Sequence, residues 1–269
     1  MQTPSFRQLV KNIQAFKQVA VAFSGGVDSS LLAYAAHQAL GDKMLAITVY
    51  TPYVPQWERD EARLFAAQYH IAHEVIELAI PAAIAGNPPE RCYLCKKELL
   101  GAIQRRAQEL GIDTIIEGSN TDDLSDYRPG MRALQELGVV SPLLETGMDK
   151  ETIRTLSRQA KLSTWNKPAS ACLLSRIPYH TEITPEELNR VAQAEMVLRE
   201  LHILGGRVRS HGDIARLEVP IETLATLLQG DLRLKLVTKI KHCGYLYVTL
   251  DLEGYQMGSL NQSLTENHE

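Results

Sequence analysis

Residues 24–30, with the sequence Ser-Gly-Gly-Val-Asp-Ser-Ser, combine residue types and spacing that suit phosphate chemistry. Two adjacent glycines allow a tight turn whose backbone N–H groups close around a phosphate, and the serine hydroxyls add further donors. The Asp28 carboxylate can hold Mg²⁺ or orient the turn. No Gly-Lys-Ser/Thr follows, so this is not the Walker phosphate loop. We therefore predict a nucleotide-phosphate site formed by Ser24, Gly25, Gly26, Asp28, Ser29 and Ser30.

Three of the four cysteines form a second group that could do chemistry. Cys92 and Cys95 have the CxxC spacing that brings two sulfurs within reach of one metal ion or cluster, and Cys172 lies far along the chain. A structural zinc site would need a fourth ligand such as Cys243 or a histidine, and simple thiols or a redox dithiol are further alternatives. We favour an iron–sulfur cluster held by three cysteines, because its open iron can bind an exogenous sulfide. Cys243 is expected to be a plain buried thiol.

An alternation of strand-like and helix-like segments must position these residues. Strand-like runs are found at 19–23, 44–50, 73–78 and 113–118, and helical patterns at 4–17, 57–70, 94–110 and 149–160. This alternation predicts right-handed βαβ units and a parallel sheet. Ligands of such sheets bind beyond the carboxyl ends of the strands, where the serine–glycine loop follows the first strand.

A second, smaller α/β module is predicted after a change of composition near residues 177–180. Thr184-Pro185-Glu186-Glu187 has the pattern of a helix start, with a threonine cap, a proline in the first turn and a glutamate at the capping-box position. The predicted elements are helices to about residue 202 and over 221–228 and 231–241, and strands over 206–210, 214–219 and 245–250. We therefore predict two domains, 1–177 and 178–269.

Composition narrows the classes of partner. The chain has 269 residues, a net charge of −4 and a pI near 6.1, which argues against a broad nucleic-acid-binding surface. No apolar run approaches the roughly 20 residues that a membrane span needs, and the N-terminal residues lack a signal-peptide pattern. We expect a cytoplasmic protein without a membrane or nucleic-acid partner, in which cysteines are thiols or metal ligands.

Several segments together resemble one branch of the ATP pyrophosphatases of the PP-loop superfamily, the LarE sulfur transferases of nickel-pincer nucleotide biosynthesis. They are SGGVDSS (24–30), CYLCKK (92–97), EGSNTDDLSDYRPG (117–130), WNKPASACLLSRIPYH (165–180), RVRSHGDIARLEVP (207–220) and YVTLDLEGY (247–255). The resemblance covers nearly the whole chain. It implies an α/β fold with a parallel-sheet PP-loop domain and a smaller C-terminal α/β domain for substrate binding or oligomerisation.

The resemblance also implies the reaction. ATP with Mg²⁺ adenylates a carboxylate of pyridinium-3,5-biscarboxylic acid mononucleotide, and sulfur then replaces AMP to give a thiocarboxylate. One form of the family gives up its own cysteine sulfur, and the other binds a [4Fe-4S] cluster through three cysteines that receives sulfide from a donor. Cys92, Cys95 and Cys172 match the cluster form, and Asp28 completes the implied catalytic set. The family further suggests homo-oligomers, with trimers pairing into hexamers.

Two arginines and a Ser-Arg pair are candidates for binding this anionic substrate. Arg207 and Arg209 alternate along a predicted strand, so both side chains lie on one face, and a guanidinium suits a phosphate. Ser175 and Arg176 follow Cys172 closely. An exposed strand face is the alternative interpretation for the first pair, and the resemblance favours phosphate binding.

Five further residues have weaker signals. Glu195 matches an acidic position of the family near the substrate pocket, with a solvated helix face as the alternative. Asp231 begins a predicted helix, where a capping role competes with a pocket role. Arg128 lies in a loop after a strand and could clamp a phosphate, unless the loop is a surface turn built on Pro-Gly. Lys96 and Lys97 could balance a cluster's charge, touch a phosphate, or be solvated.

Other functions use the same loop. A tRNA thiolase would also combine it with cysteines but needs a basic surface. Amidating synthetases share the loop and have no use for three cysteines. An iron–sulfur sensor that binds ATP without turnover is a non-enzyme alternative. We predict the sulfur transferase.

Overall fold

The computed structural model describes residues 3–124, 130–168, 171–256 and 258–261. The chain divides into two compact units. The first unit comprises residues 1–81 and 90–170, and the second comprises 82–89 and 171–269. The domain boundary predicted after residue 177 stays a prediction. No helix in the described ranges is long and apolar enough to span a bilayer.

The first unit is built on a four-stranded sheet. Its helices are α1 (Pro4–Gln14), α2 (Val27–Leu40), α3 (Gln56–Gln68), α4 (Arg91–Glu109), α5 (Gly130–Leu137), α6 (Pro142–Glu145) and α7 (Lys150–Gln159). Its strands are β1 (Val19–Ala22), β2 (Met44–Tyr50), β3 (His73–Glu77) and β4 (Ile115–Ile116). The strand order is β3-β2-β1-β4 and all the pairings are parallel. This arrangement confirms the predicted α/β fold class.

Alternating side chains of β1 enter two cores on opposite faces of this sheet. Val19 and Val21 pack with buried residues of α1, α2, α3 and α7, whereas Ala20 packs with residues of α4 and α5. A strand that is apolar on both faces is typical of a parallel sheet covered by helices on both sides. The central strand is therefore held rigidly, and so is the point at which the loop begins.

The predicted strand 113–118 is much shorter in the structure, where β4 covers only two residues, Ile115–Ile116. The chain turns at Glu117, whose carboxylate accepts a hydrogen bond from the backbone N–H of Ser119 at 2.9 Å. A Cβ on Gly118 would lie 2.9 Å from the backbone nitrogen of Ser29, so only glycine allows this close approach to α2.

The second unit contains a three-stranded sheet. Its elements are α8 (Pro185–Glu200), β5 (Arg207–His211), β6 (Ile214–Glu218), α9 (Leu224–Leu227), α10 (Gly230–His242) and β7 (Tyr247–Leu250). β5 and β6 are antiparallel, β6 and β7 are parallel, and apolar residues of α8 and α10 complete the core. Thr184 caps α8 by accepting a hydrogen bond from the Glu187 N–H at 3.1 Å, as its sequence pattern predicts.

Two local predictions for this unit were wrong. The single helix predicted over 221–228 is a 3-10 turn, Ile221–Thr223, followed by α9. Asp231 is not a helix cap, because α10 begins one residue earlier and Gln229 occupies the capping position with extended backbone angles. Asp231 instead lies exposed in the first turn, where its charge suits the helix dipole.

Candidate active site

The serine–glycine loop lies at the switch point of the parallel sheet. From β1 the chain continues to β2 and β3 on one side, and β4 lies on the other side. Gly25 has a φ of +71°, and a Cβ there would lie 2.9 Å from the Cβ of Ala62. Glycine is therefore required at this position by both backbone angle and space. Crevices at such switch points are the ligand sites of open α/β sheets.

The loop's serines bond to one another. The Oγ atoms of Ser24 and Ser29 lie 3.0 Å apart, and Ser29 Oγ donates to the Gly26 carbonyl at 3.2 Å. Gly26 is the N-cap of α2 and offers the helix no side-chain cap. The start of α2 is therefore suited to an anion, since its first N–H groups and dipole favour negative charge. Ser30 is fully buried, and its Oγ has no hydrogen-bond partner among the described residues.

Two lysines that the sequence analysis did not select contact this loop. Lys150 Nζ forms an ion pair with the Asp28 carboxylate, and Asn120 Nδ2 donates to the same carboxylate at 3.4 Å. Lys167 Nζ donates to the Gly25 carbonyl at 3.1 Å and pairs with Glu61 at 2.8 Å. Lys150 begins α7, where a positive charge opposes the helix dipole. The positive charge of Lys150 at a helix start was therefore the signal in the sequence that could have identified this residue.

A magnesium ion fits the donor chemistry beside the loop. Mg²⁺ in phosphate-transfer sites is held by one or two carboxylates together with the phosphates of the substrate. Asp28 supplies one carboxylate in the first turn of α2, and it remains partly exposed. Asp28 is therefore the residue that would hold the metal at this loop, as predicted from the sequence.

Buried Glu117 connects the end of β4 with the cysteine-bearing helix. Its carboxylate accepts hydrogen bonds from Ser119 Oγ at 2.9 Å and from Ser141 Oγ at 2.6 Å. Lys96 Nζ, one residue after Cys95, lies 3.4 Å from the same carboxylate. Lys96 thus contacts the strand end beside the loop, and its predicted roles toward a cluster or a phosphate stay predictions.

Cys92 is the second residue of α4 and Cys95 is the fifth, so the two lie about one helical turn apart. Cys92 is exposed and Cys95 is half-buried, and the Sγ of Cys95 lies 3.1 Å from the hydroxyl of Tyr53. Tyr53 itself is almost fully buried. Both thiols offer soft sulfur donors, which suit metal ligation.

A cluster of charged groups flanks the exposed cysteine. Lys97 Nζ and the Tyr93 hydroxyl donate to Glu136 at 2.8 and 2.7 Å, and Arg132 stacks over the Tyr93 ring. Hydrogen bonds from Lys97, Tyr93 and Arg132 lower the pKa of Glu136 to about 2. These contacts fix the first turn of α4 against α5.

The cluster prediction has a partial fit. The donors are thiols, as a three-cysteine iron–sulfur cluster requires, and two of them share one helical turn. Cys172 belongs to the second unit. Within the described ranges, no group of three Cys, His, Asp or Glu side chains is close enough to hold a metal ion. The [4Fe-4S] cluster therefore stays a prediction.

In the second unit, Cys172 precedes a 3-10 turn, Leu173–Arg176, that carries the predicted Ser-Arg pair. The Cys172 carbonyl accepts a hydrogen bond from Ser175 Oγ at 2.9 Å, and Ser175 Oγ accepts one from Arg176 Nη1 at 2.7 Å. Arg176 and Glu195 form an ion pair at 2.7 Å in which the two side chains are only 2% and 7% exposed. The predicted residues Ser175, Arg176 and Glu195 are thus brought together.

Arg207 and Arg209 lie beside this pair but differ in their partners. Arg209 is buried, pairs with Glu218 at 2.6 Å and donates to the Ser175 carbonyl at 2.6 Å. Arg207 donates to the Gly206 carbonyl at 2.8 Å and stacks on Tyr255. Burial and the charge of Arg176 lower the pKa of Arg207. Positive charge is therefore concentrated here, which favours the binding of an anion.

Three other residues that the sequence analysis singled out have different outcomes. Arg128 lies outside the described residues. Asp231 is exposed in α10. Cys243 is half-buried at the end of α10, rather than fully buried as predicted, and its Sγ donates to the Lys239 carbonyl at 3.3 Å. Burial raises the pKa of its thiol.

Comparison with known proteins identifies the family. A family model described as NAD synthase matches residues 2–98, which include the loop and the CxxC pair. A pyridinium-3,5-bisthiocarboxylic acid mononucleotide synthase from Lactiplantibacillus plantarum is 33% identical over 261 residues, which cover 96% of this chain and 94% of that protein. The chain belongs to the LarE family.

Two further relatives match over most of the chain. An uncharacterised protein from Synechocystis sp. is 45% identical over 91% of this LarE-family chain and 92% of its own length. The B subunit of a GMP synthase from Thermoplasma acidophilum is 26% identical over 74% of this chain and 70% of that protein. The LarE-family chain is thus an ATP-using enzyme of the PP-loop type, as the serine–glycine loop predicted.

Proposed function

We propose that this LarE-family chain is an ATP-dependent sulfurtransferase of nickel-pincer cofactor biosynthesis. It adenylates the carboxylates of pyridinium-3,5-biscarboxylic acid mononucleotide and converts each to a thiocarboxylate, releasing AMP and pyrophosphate. The observation that carries the proposal is the 33% identity to the L. plantarum mononucleotide synthase along 96% of the chain. The loop at the sheet's switch point supports the ATP-dependent half of the reaction.

The chemistry needs ATP because a free carboxylate has oxide as its leaving group. A carboxylate oxygen attacks the α-phosphorus, and pyrophosphate leaves to the serine–glycine loop. The chain would contribute position and charge. Lys150 and Lys167 contact the loop, where with the α2 N-terminus they would attract the phosphates, and Asp28 would hold the metal. AMP is then the leaving group when sulfide attacks the acyl carbon.

The substrate's own phosphate is proposed to bind in the second unit. Arg207 would contact it directly, and Arg209 would hold the site's shape through its buried pair with Glu218. The lowered pKa of Arg207, caused by burial and by Arg176, supports an anion there, because a phosphate would relieve that repulsion. Ser175, Arg176 and Glu195 complete the proposed substrate set beside these arginines. Asp231 and Arg128 belong to it only as predictions from the sequence.

Cys92, Cys95 and Cys172 are proposed to hold a [4Fe-4S] cluster, whose open iron supplies sulfide taken from a donor. The presence of CxxC together with Cys172 supports this form over one that sacrifices Cys172 alone. Assembly into a homo-trimer or homo-hexamer remains a prediction from the family resemblance. A cytoplasmic location remains a prediction from the composition.

The first test is metal analysis of protein purified without oxygen. About four iron and four acid-labile sulfide per chain are expected, and both should be lost in the Cys92→Ala/Cys95→Ala variant. Zinc, or no metal, would overturn the cluster and leave Cys172 as a sacrificial or structural residue.

Two substitutions separate the halves of the reaction. Cys172→Ala should block thiocarboxylate formation while pyrophosphate release still depends on the pyridinium mononucleotide. Asp28→Ala should abolish that release, because the metal and pyrophosphate lose their common anchor. Undiminished AMP formation by Asp28→Ala would remove Asp28 from the mechanism, and thiocarboxylate formation by Cys172→Ala would remove Cys172 from the sulfur route.

A further inference from the structure

Lys150 occupies an electrostatically unusual position. It is the first residue of α7, a place where the positive end of the helix dipole disfavours a cation. The N-terminus of this helix is already served by carboxylates, because Asp149 accepts from the Thr152 N–H at 2.8 Å and Asp122 accepts from the Lys150 N–H at 3.1 Å. The helix start therefore gains nothing from the ammonium group, which reaches instead to Asp28.

The contact partner of Lys150 is the carboxylate that would hold the metal. An ammonium group and a divalent cation both need the oxygens of Asp28, so they compete for them. Lys150 and Asp28 are 34% and 24% exposed. An ion pair that is this accessible to water is weak, and another cation can displace it.

We propose that Lys150 is an exchangeable counter-cation of the nucleotide loop, which pairs with Asp28 until a divalent metal arrives with the nucleotide and then pairs with a phosphate oxygen. The inference rests on the proposed role of the loop in ATP binding. Lys150 and Asp28 would each keep a partner of opposite charge throughout binding. It would also make the metal bind well only together with a polyphosphate.

The proposal requires opposite effects of one substitution. Lys150→Gln should tighten the binding of Mn²⁺ alone about fivefold, because the competing ion pair is gone. The same substitution should weaken the binding of ATP with Mn²⁺ about tenfold, because a charged hydrogen bond to phosphate is lost. A purely structural role for Lys150 would weaken both or neither.

Lys43→Gln is a matched control for the loss of one positive charge. Lys43 is exposed and follows the C-terminal end of α2, whereas Asp28 lies in the first turn of this 14-residue helix. At 1.5 Å per residue, the two positions are roughly 20 Å apart. Lys43→Gln should leave both affinities unchanged. Lys150→Arg keeps the charge and should bind Mn²⁺ alone as the natural protein does.

The experiment is electron paramagnetic resonance of free Mn²⁺ titrated with each variant, with and without ATP, and circular dichroism to check folding. Tighter Mn²⁺ binding with weaker ATP binding in Lys150→Gln supports the exchange. Unchanged or weaker Mn²⁺ binding overturns it, as does Mn²⁺ binding that survives Asp28→Asn. If the natural protein binds no ATP with Mn²⁺, the proposed function fails as well, so the two failures are distinguishable.

Discussion

In the first unit, the ion pair at the nucleotide loop leaves Lys150 34% and Asp28 24% exposed, whereas the pair beside Cys172 in the second unit leaves Arg176 2% and Glu195 7% exposed. The first pair can exchange its partners with a ligand at small cost. The second has lost its hydration and must stay paired. One unit thus holds charges that are suited to transient phosphate and metal binding, and the other holds charges that fix a shape.

The second unit's charges form a linked set. Glu195 also accepts a hydrogen bond from the Val208 N–H at 3.2 Å, and Glu218 accepts from Ser259 Oγ at 2.7 Å as well as from Arg209. Each buried carboxylate therefore has several donors, which is the condition for a buried charge to be tolerated. Arg207, which donates to the Gly206 carbonyl and stacks on Tyr255, is the arginine of this region that we propose binds the substrate's phosphate.

Breaking the buried pair should have the largest effect. Arg176→Met leaves the Glu195 charge buried without its cation, which costs about 3–5 kcal/mol of unfolding free energy. Urea unfolding followed by circular dichroism measures the loss. Lys97→Met, which breaks the exposed pair with Glu136 in the first unit, should leave the unfolding midpoint unchanged.

A double variant tests whether the loss of stability comes from the unpaired charge of Glu195. Arg176→Met/Glu195→Met removes both charges and should recover a large part of the lost stability, because no unpaired charge remains. If Arg176→Met costs no more than Lys97→Met, the contrast between the two units is wrong.

An intermediate effect is expected from Gly25→Ala. The backbone angle of +71° costs about 1–2 kcal/mol for a residue with a Cβ, and this Cβ would also meet Ala62. Since about 1.4 kcal/mol corresponds to a tenfold change in affinity, ATP binding measured by calorimetry should weaken about tenfold or more. Gly26→Ala is the control in the same loop, because its φ is −77° and its Cβ would have 3.4 Å to Ser24 Oγ. Equal losses in the two variants would contradict the requirement for glycine at position 25.

The smallest effect is a pH dependence of stability. Burial, with a smaller contribution from Arg63, lowers the pKa of His73, whose Nε2 lies 2.8 Å from Thr48 Oγ1. The unfolded chain has a histidine pKa near 6.5, so it binds more protons than the folded protein below that pH. The free energy of unfolding should therefore fall as the pH is lowered through 6.5.

His73→Gln should make this dependence shallower, since glutamine keeps a donor toward Thr48 and does not titrate. The pKa of His211 in the second unit is lowered in the same direction by burial and by Arg216. The pH dependence of stability should therefore be shallower still in the double variant His73→Gln/His211→Gln. Urea midpoints measured between pH 5 and 8 check the order, and a steeper slope in either variant would refute the sign.

Local patterns predicted much of the fold. The segment 44–50 is the strand β2 as predicted, and Thr184 caps α8 as its spacing indicated. The predictions failed where tertiary contacts override local preference. The predicted strand 113–118 forms only two residues of strand, because the close approach of Gly118 to α2 and the hydrogen bonds of Glu117 turn the chain. Asp231 is of a residue type that caps helices, but α10 begins one residue earlier, at Gly230, and Gln229 occupies the capping position.

The sequence by itself determined the chemical class of the loop and the spacing of the CxxC pair, because both depend on residues that are neighbours along the chain. Only the tertiary structure decided which charges meet. Asp28 and Lys150 are separated by 122 residues, and Gly25 and Lys167 by 142. Such pairs form because the strand order β3-β2-β1-β4 brings the ends of β1 and β4 together, and no short segment encodes that order. The same holds for Arg176 and Glu195, whose pairing depends on how α8 packs in the second unit.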